Sequence, residues 1–438
     1  MQLSVIGCGY LGAVHAAAMA SLGHDVLGID TDPERVAALS RGEAPFYEPG
    51  LPELLASQVE GGRLRFTASP SREEMAAVEV HFIAVGTPQS ADGGQADLSQ
   101  VRSAVELLRS VLPEGHGPLV VGKSTVPVGT AHEVSERLAG RARTAWNPEF
   151  LREGFAVRDT LHPDRIVYGL AEEPQEALES QQVLDAVYAP LLAEGIPRIL
   201  TDYATAELVK TAANSFLATK ISFINAMAGL CEAAGADVTV LAQAIGYDAR
   251  IGHRFLRAGV GFGGGCLPKD IRALQASARA HGAEGLASLL ETVDSVNQAQ
   301  RERVVALALE HVGGDLSEVP VTILGAAFKP DSDDVRDSPA LDVASRLSDL
   351  GAVVTVCDPH ALPVVARTHP HVRREEDVST ALEGAELVLL LTEWDQFVEL
   401  DPALVAAHVA RQVVIDARNA LDPAAWREAG WQYVGVGR

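Results

Sequence analysis

The chain has 438 residues, 47% hydrophobic and 21% charged, a balance that fits two or three globular domains and excludes a disordered chain. Its formal net charge of -24 argues against nucleic acid or an anionic membrane as a partner, so an anionic ligand must be held by local donors. No apolar run reaches membrane-span length, the start Met1-Gln2-Leu3-Ser4-Val5-Ile6 has no basic leader region, and Cys8, Cys231, Cys266 and Cys357 show neither a CxxC pair nor metal spacing. A cytoplasmic protein without disulfides or a metal site is expected.

In chain order, Leu3 to Ile6 reads as a short strand, Gly12 to Leu22 as a helix and Asp25 to Ile29 as a second strand. Further apolar runs at Val80 to Val85 and Leu119 to Gly122 continue a βαβ rhythm, the mark of a parallel sheet covered by helices. From about Asp202 to Ala234 the apolar residues recur at helical spacing, and Gly235 suits a stop. So long a helix reads as a spine between two domains, with a free face suited to a dimer contact. A second βαβ region follows: strands at Val321 to Gly325, Val353 to Cys357, Glu386 to Leu391 and Gln412 to Ile415, with a helix from Ala340 to Leu350. The fold class expected is α/β, with two Rossmann-like doubly wound domains joined by a long central helix. The expected division is 1–200, 201–300 and 301–438.

Gly7-Cys8-Gly9-Tyr10-Leu11-Gly12 is GxGxxG placed directly after a strand and before a helix, the context that gives this short motif meaning. Gly7 permits the tight turn, Gly9 lets a pyrophosphate approach the backbone, and Gly12 lets helix pack on strand. The helix N-terminus then faces the phosphates. Asp30 ends the second strand where a carboxylate holds adenosine ribose hydroxyls, which favours NAD over NADP. Arg35 would sit at the adenosine pyrophosphate or, alternatively, accept a 2′-phosphate. The turns Val85-Gly86-Thr87-Pro88 and Lys123-Ser124-Thr125-Val126-Pro127 fall at the carboxyl edge of the same sheet, with hydroxyls and backbone donors for a nicotinamide ribose; taken singly, each also reads as plain turn chemistry.

The run Gly261-Phe262-Gly263-Gly264-Gly265-Cys266-Leu267-Pro268-Lys269-Asp270 has almost no side chain until it reaches one thiol. That lets backbone lie close to a ligand. Pro268 suits the first position of a helix, and Cys266 just before it would feel the positive end of the dipole, which favours thiolate. An isolated cysteine is more often an inert buried residue, but the neighbouring glycines, proline, lysine and aspartate fit an activated nucleophile.

At this point the residues resemble a known family, the UDP-glucose/GDP-mannose 6-dehydrogenases. The resemblance rests on GxGYLG at Gly7, KSTVPVGT at Lys123, NPEFLREG at Asn147, KTAANSFLATKISFINA from Lys210, FGGGCLPKD at Phe262 and FKPDSDDVRDSP at Phe328. It implies NAD-dependent four-electron oxidation of a nucleotide-sugar primary alcohol to a carboxylate, with UDP-glucose the favoured substrate, in a homodimer or larger homo-oligomer. GDP-mannose or a UDP-N-acetylhexosamine remain alternatives. A two-electron hydroxyacid or hydroxyacyl dehydrogenase is a remoter one, and a non-catalytic sensor remoter still.

The resemblance also implies roles. Cys266 is the nucleophile that holds the aldehyde as a thiohemiacetal and then a thioester. Lys210 is a base or electrostatic support; Asn214, four residues on, holds the water or oxyanion; Asp270 orients Lys210 or that water. Glu149, working through water with Thr125, is the base for thioester hydrolysis. Glu153, Lys269 and Arg336 join Gly7, Gly9, Tyr10, Leu11, Gly12, Asp30, Arg35, Gly86 and Thr87 on the cofactor side. Phe150, Leu151, Arg152, Phe255, Gly263, Phe328 and Lys329 line the substrate, with Lys329 at the diphosphate. Arg250 reaches its own or a neighbouring subunit's site. Without the resemblance, Lys210, Asn214 and Asp270 read as a solvated helix face and a helix-start acid. For Arg336, an ion pair within Asp331, Asp333, Asp334 and Asp337 is a direct competitor. Gly265 stands where family members often carry serine or proline.

Overall fold

The computed structural model describes residues 1–90, 96–115 and 117–438. The chain divides into two compact units, Met1–Ala213 and Asn214–Arg438. The division falls inside one helix, Tyr203–Ala234, which Gly235 ends in a left-handed conformation.

The first unit is built on eight strands: β1 (Gln2–Ile6), β2 (Asp25–Ile29), β3 (Leu64–Thr67), β4 (Val80–Ile83), β5 (Leu119–Gly122), β6 (Arg143–Trp146), β7 (Ile166–Leu170) and β8 (Arg198–Asp202). Their order is β3-β2-β1-β4-β5-β6-β7-β8, so the chain leaves β1 in both directions and a crevice opens at the carboxyl ends of β1 and β4. All pairings are parallel except β6 with β7, joined through Trp146 and Gly169. β1 after Gln2 and all of β4 are buried, because parallel strands are covered on both faces; the two polar residues there, Ser4 and His81, bond to each other at 2.7 Å. The helix Tyr10–Ser21 packs on one face through eight consecutive buried residues, Ala13 to Ala20. Alanines at most of these positions let it lie close to the sheet.

The second unit carries β9 (Pro320–Leu324), β10 (Val353–Cys357), β11 (Arg373–Glu375), β12 (Leu387–Leu390), β13 (Val413–Asp416) and β14 (Gln432–Gly435), in the all-parallel order β11-β10-β9-β12-β13-β14. This is the same doubly wound plan, so both Rossmann-like sheets expected from the sequence are present. A second long helix, Glu284–Val312, was not separated by the sequence reading. Pro268 is the second residue of the helix Leu267–Ala280 rather than its first, because the helix begins one residue earlier than expected.

Candidate active site

The cofactor turn follows from β1 and the helix after it. Gly7 has φ +91°, and a Cβ there would lie 2.8 Å from Val85. A Cβ on Gly12 would lie 1.7 Å from the Gly7 carbonyl oxygen, so only glycine lets the helix begin so close to the strand. At Gly9 nothing lies within 4 Å of the same position. The turn is packed on both sides and open in the middle, the shape a pyrophosphate needs. Tyr10 and Leu11 open the helix and pack at the edge of the core.

Asp30 is 7% exposed. Its carboxylate accepts the Cys8 N–H at 2.8 Å and the Asp32 N–H at 2.9 Å. Arg35 Nη1 reaches both its oxygens at 3.1 Å. Arg35 is therefore tied to Asp30, the carboxylate expected to hold the ribose, rather than turned outward to accept a 2′-phosphate. Cys8 is buried beside Asp30, and burial pushes its thiol up to about 12, so it is chemically quiet. These residues fit an adenine dinucleotide.

The two later turns are tied to each other. Thr87 Oγ1 donates to the Thr125 carbonyl at 2.7 Å, and Ser124 Oγ donates to the Val85 carbonyl at 2.7 Å. Gly86 is exposed and Thr125 half-buried. Lys123 is buried; its Nζ donates to Asn147 Oδ1 at 2.9 Å, and Tyr188 donates to the same oxygen at 2.7 Å. Burial brings the Lys123 ammonium down to about 8, with Glu149 pulling the other way.

Asn147 begins the loop that carries Glu149. Glu149 Oε1 lies 3.0 Å from Lys210 Nζ, both side chains nearly buried. The other oxygen, Oε2, accepts the Leu151 N–H at 2.8 Å, which fixes the carboxylate. Arg165 stacks on the Phe150 ring at 3.8 Å, and Lys210 Nζ lies 6.0 Å from it. Glu153 is buried and acts electrostatically on Tyr10. Arg152 is committed elsewhere: its guanidinium grips Asp159 through Nε at 2.8 Å and Nη2 at 2.7 Å.

In the second unit Cys266 is half-buried, is not disulfide-bonded and is the N-cap of Leu267–Ala280. Asp270, 1% exposed, accepts from Asn214 Nδ2 at 2.7 Å and lies 3.2 Å from Lys269 Nζ. Asn214 sits one turn beyond Lys210 on the Tyr203–Ala234 helix. The glycines before Cys266 are occupied by the protein's own packing. A Cβ would lie 2.4 Å from Asn297 Oδ1 at Gly261, 2.3 Å from the Asp337 carbonyl at Gly263 and 2.3 Å from Arg336 Cζ at Gly265. The glycine at 265 thus accommodates a guanidinium. Arg336 itself holds Asp334 through Nε at 2.9 Å and Nη2 at 2.7 Å, the ion-pair alternative raised by the acidic run. Lys329 Nζ lies 5.5 Å from the Phe328 ring. Phe255 holds a φ of +64°, a strained value for a bulky residue. Arg250, exposed, makes a two-pronged pair with Asp248.

Several supports were not legible as such. Asn297 is fully buried and meets Phe262 like a neighbouring strand, accepting its N–H at 2.8 Å and donating to its carbonyl at 3.0 Å. Asn225 accepts the Gly259 N–H at 2.8 Å. Arg418 donates to the carbonyls of Leu391, Gly261 and Phe328 at 2.7, 3.1 and 3.1 Å, joining three loops at the carboxyl edge of the second sheet. Nothing in the spacing of their neighbours marks these residues, and only their position in the fold shows what they hold.

Comparison with known proteins places the chain in a family. The family models for the UDP-glucose/GDP-mannose dehydrogenases match as the NAD binding domain over residues 1–192, the central domain over 204–299 and the UDP binding domain over 322–423. The chain is 42% identical to a UDP-glucose 6-dehydrogenase of Pseudomonas aeruginosa, covering 100% of this chain and 98% of that one. It is 40% identical to one of Rhizobium meliloti, with both chains covered completely. Among solved structures, a UDP-glucose dehydrogenase of Pyrobaculum islandicum is similar with a TM-score of 0.88 at 39% identity, covering 100% of this chain and 97% of that one. No helix among the described residues is long and apolar enough to cross a membrane. With all three family models matched in order, and the cofactor turn and the thiol loop in place, the chain belongs to the UDP-glucose/GDP-mannose dehydrogenase family.

Proposed function

We propose that the protein oxidises UDP-glucose to UDP-glucuronate with two molecules of NAD. The observation that carries this reading is the full-length identity of 40% or more to two UDP-glucose 6-dehydrogenases, joined to a half-buried cysteine at a helix N-cap. NAD supplies the hydride acceptor for each of the two oxidations. Within this reading the segments 1–200, 201–300 and 301–438 serve cofactor, assembly and nucleotide-sugar binding.

Lys210 takes the proton of the C6 hydroxyl, or holds the alkoxide by charge, as hydride leaves C6 to give the aldehyde. The Cys266 thiolate then adds to the aldehyde carbon; a C–S bond forms and the carbonyl oxygen gains a proton. Loss of a second hydride from C6, with the hydroxyl proton passing to Lys210, leaves a thioester. Water, its proton taken by Glu149, attacks the thioester carbon; the C–S bond breaks and the thiolate is restored. A simple alcohol oxidation needs no nucleophile, whereas a four-electron one must retain the aldehyde. Asp270 contributes by fixing the Asn214 amide that holds the oxyanion or water. Arg152 and Arg250, paired to aspartates in their own neighbourhoods, are weaker candidates for substrate contact than Phe150, Phe255, Gly263, Phe328 and Lys329.

With a panel of nucleotide sugars, UDP-glucose is expected to give the highest kcat/KM and two NADH per sugar consumed. A ratio of one would point to a two-electron dehydrogenase, and preference for GDP-mannose or a UDP-N-acetylhexosamine would move the substrate.

We also propose a homodimer through the spine helix. Phe216, Phe223 and Leu230 recur every seven residues on it and are 67%, 53% and 59% exposed. A stripe of this kind is costly in water and suits a self-complementary contact. Phe223→Glu is expected to halve the mass found by light scattering; an unchanged mass would remove this face from the assembly.

A further inference from the structure

Glu48 stands outside every sequence motif that marks the site, in Phe46-Tyr47-Glu48-Pro49, yet it is 1% exposed. An unpaired carboxylate at that depth would be prohibitively unfavourable, so its partners explain its presence. Oε1 accepts the Ala156 N–H at 2.7 Å. Oε2 accepts the Gly154 N–H at 2.7 Å and the phenol O–H of Tyr10. The Gly154 N–H also reaches the Tyr10 oxygen, at 3.1 Å. Tyr10 rests on the Phe46 ring, with centroids 4.7 Å apart, so both ends of the contact come from the same short segment. Burial and the Glu48 charge together raise the phenol well above its ordinary range, which keeps Tyr10 a donor at every working pH.

Tyr10 is the first residue of the helix that closes the cofactor turn. Gly154 and Ala156 end the loop that carries Glu149 and Glu153. One buried carboxylate therefore holds the tip of the turn and the far end of the loop together. We propose that Glu48 is a positioning residue that couples cofactor binding at the Gly7–Gly12 turn to the setting of the loop 149–154. It touches neither substrate nor the reacting atoms; it acts through Tyr10 and through two backbone amides. The proposal deepens the function given above and rests on its assignment of the turn to NAD and of Glu149 to hydrolysis. The coupling gives a device for a two-step oxidation, in which the first reduced cofactor must leave and a second NAD must bind before the hydrolytic group is needed.

Charge is the essential feature. In Glu48→Gln one oxygen becomes an NH2 group, which turns a donor toward the backbone N–H it should accept from. Leaving a buried N–H without an acceptor costs enough to raise local opening about tenfold or more. The experiment is hydrogen exchange of the peptide spanning 150–157 in the full-length protein, with and without NAD, alongside the dissociation constant for NAD by fluorescence titration. In the wild type NAD is expected to slow exchange in this peptide. In Glu48→Gln the peptide exchanges about tenfold faster, NAD no longer protects it, and NAD binds about tenfold more weakly. Tyr10→Phe keeps the ring on Phe46 but breaks the bridge; it is expected to lose the NAD-dependent protection with little change in basal exchange. The double variant should be no worse than Glu48→Gln alone.

NAD-dependent protection that survives in Glu48→Gln overturns the proposal, as does strict additivity of the two substitutions. Should Glu48→Gln fail to fold, unchanged protection in Tyr10→Phe overturns it equally. The exchange readout does not depend on turnover, so it separates this failure from failure of the catalytic reading. Full activity in Glu149→Gln would remove that reading and leave the link between turn and loop to be judged on exchange alone.

Discussion

Cys266→Ser is expected to lower net turnover at least about a thousandfold while leaving the affinity for NAD unchanged. Serine preserves size and the N-cap position, so the fold of Leu267–Ala280 should survive. What changes is the nucleophile: a serine hydroxyl stays protonated near neutral pH, whereas a thiol at a helix N-terminus ionises more readily. The aldehyde is then no longer retained for the second oxidation. NAD is assigned to the first unit, which the substitution does not touch. Steady-state NADH formation and a separate NAD titration check both halves of the expectation. Full activity in this variant would sink the covalent mechanism, and loss of NAD binding would mean that the substitution had damaged more than the thiol.

Glu149→Gln is expected to slow thioester hydrolysis by about a hundredfold to ten-thousandfold, the usual range for a general base. Rapid mixing should then show a burst of two NADH per active site followed by a slow steady state, and Cys266 should carry an acyl adduct visible by mass spectrometry. The geometry adds a second effect. Lys210 is nearly buried and lies 3.0 Å from Glu149, so a neutral glutamine removes one nearby negative charge from the ammonium and makes it easier to deprotonate. That acts on the first oxidation and so on the rate of the burst, not on its amplitude. A variant with no burst and wild-type steady state would take Glu149 out of hydrolysis; a slow burst without adduct would place its importance with Lys210.

Much of the fold was legible because its signals are local. β1, β2, β5, β10 and the spine helix run within a residue of where apolar periodicity and a stop glycine put them. β3 (Leu64–Thr67) and β11 (Arg373–Glu375) lie at sheet edges, where one side needs no apolar cover, and they gave no comparable run. β8 is likewise an edge and largely exposed. The helix Glu284–Val312 was missed for a different reason. It buries Asn297 and Arg301 on its inward face, so its polar residues do not mark the solvent side.

The glycine run before Cys266 shows the same limit in the site. Its composition suggested backbone laid bare for a ligand. In the fold the Cβ positions of Gly261, Gly263, Gly264 and Gly265 are taken up by Asn297, Asp337, Phe328 and Arg336. Gly9 alone, in the cofactor turn, keeps the open space that the spacing implied.

By itself, then, the sequence determined the two doubly wound sheets, the cofactor turn, the spine helix and the glycine-lined cysteine at a helix start, because each is written in neighbouring residues whose spacing carries its own physics. Only the tertiary structure decided which groups hold them in place. Glu48 beneath Tyr10 and Gly154, Lys210 on Glu149, Asn214 on Asp270 and Asn297 on Phe262 are contacts between residues 35 to 106 positions apart. A lone buried polar residue looks the same in a sequence as a solvated one, and it is burial, set by the whole chain, that makes its single partner matter.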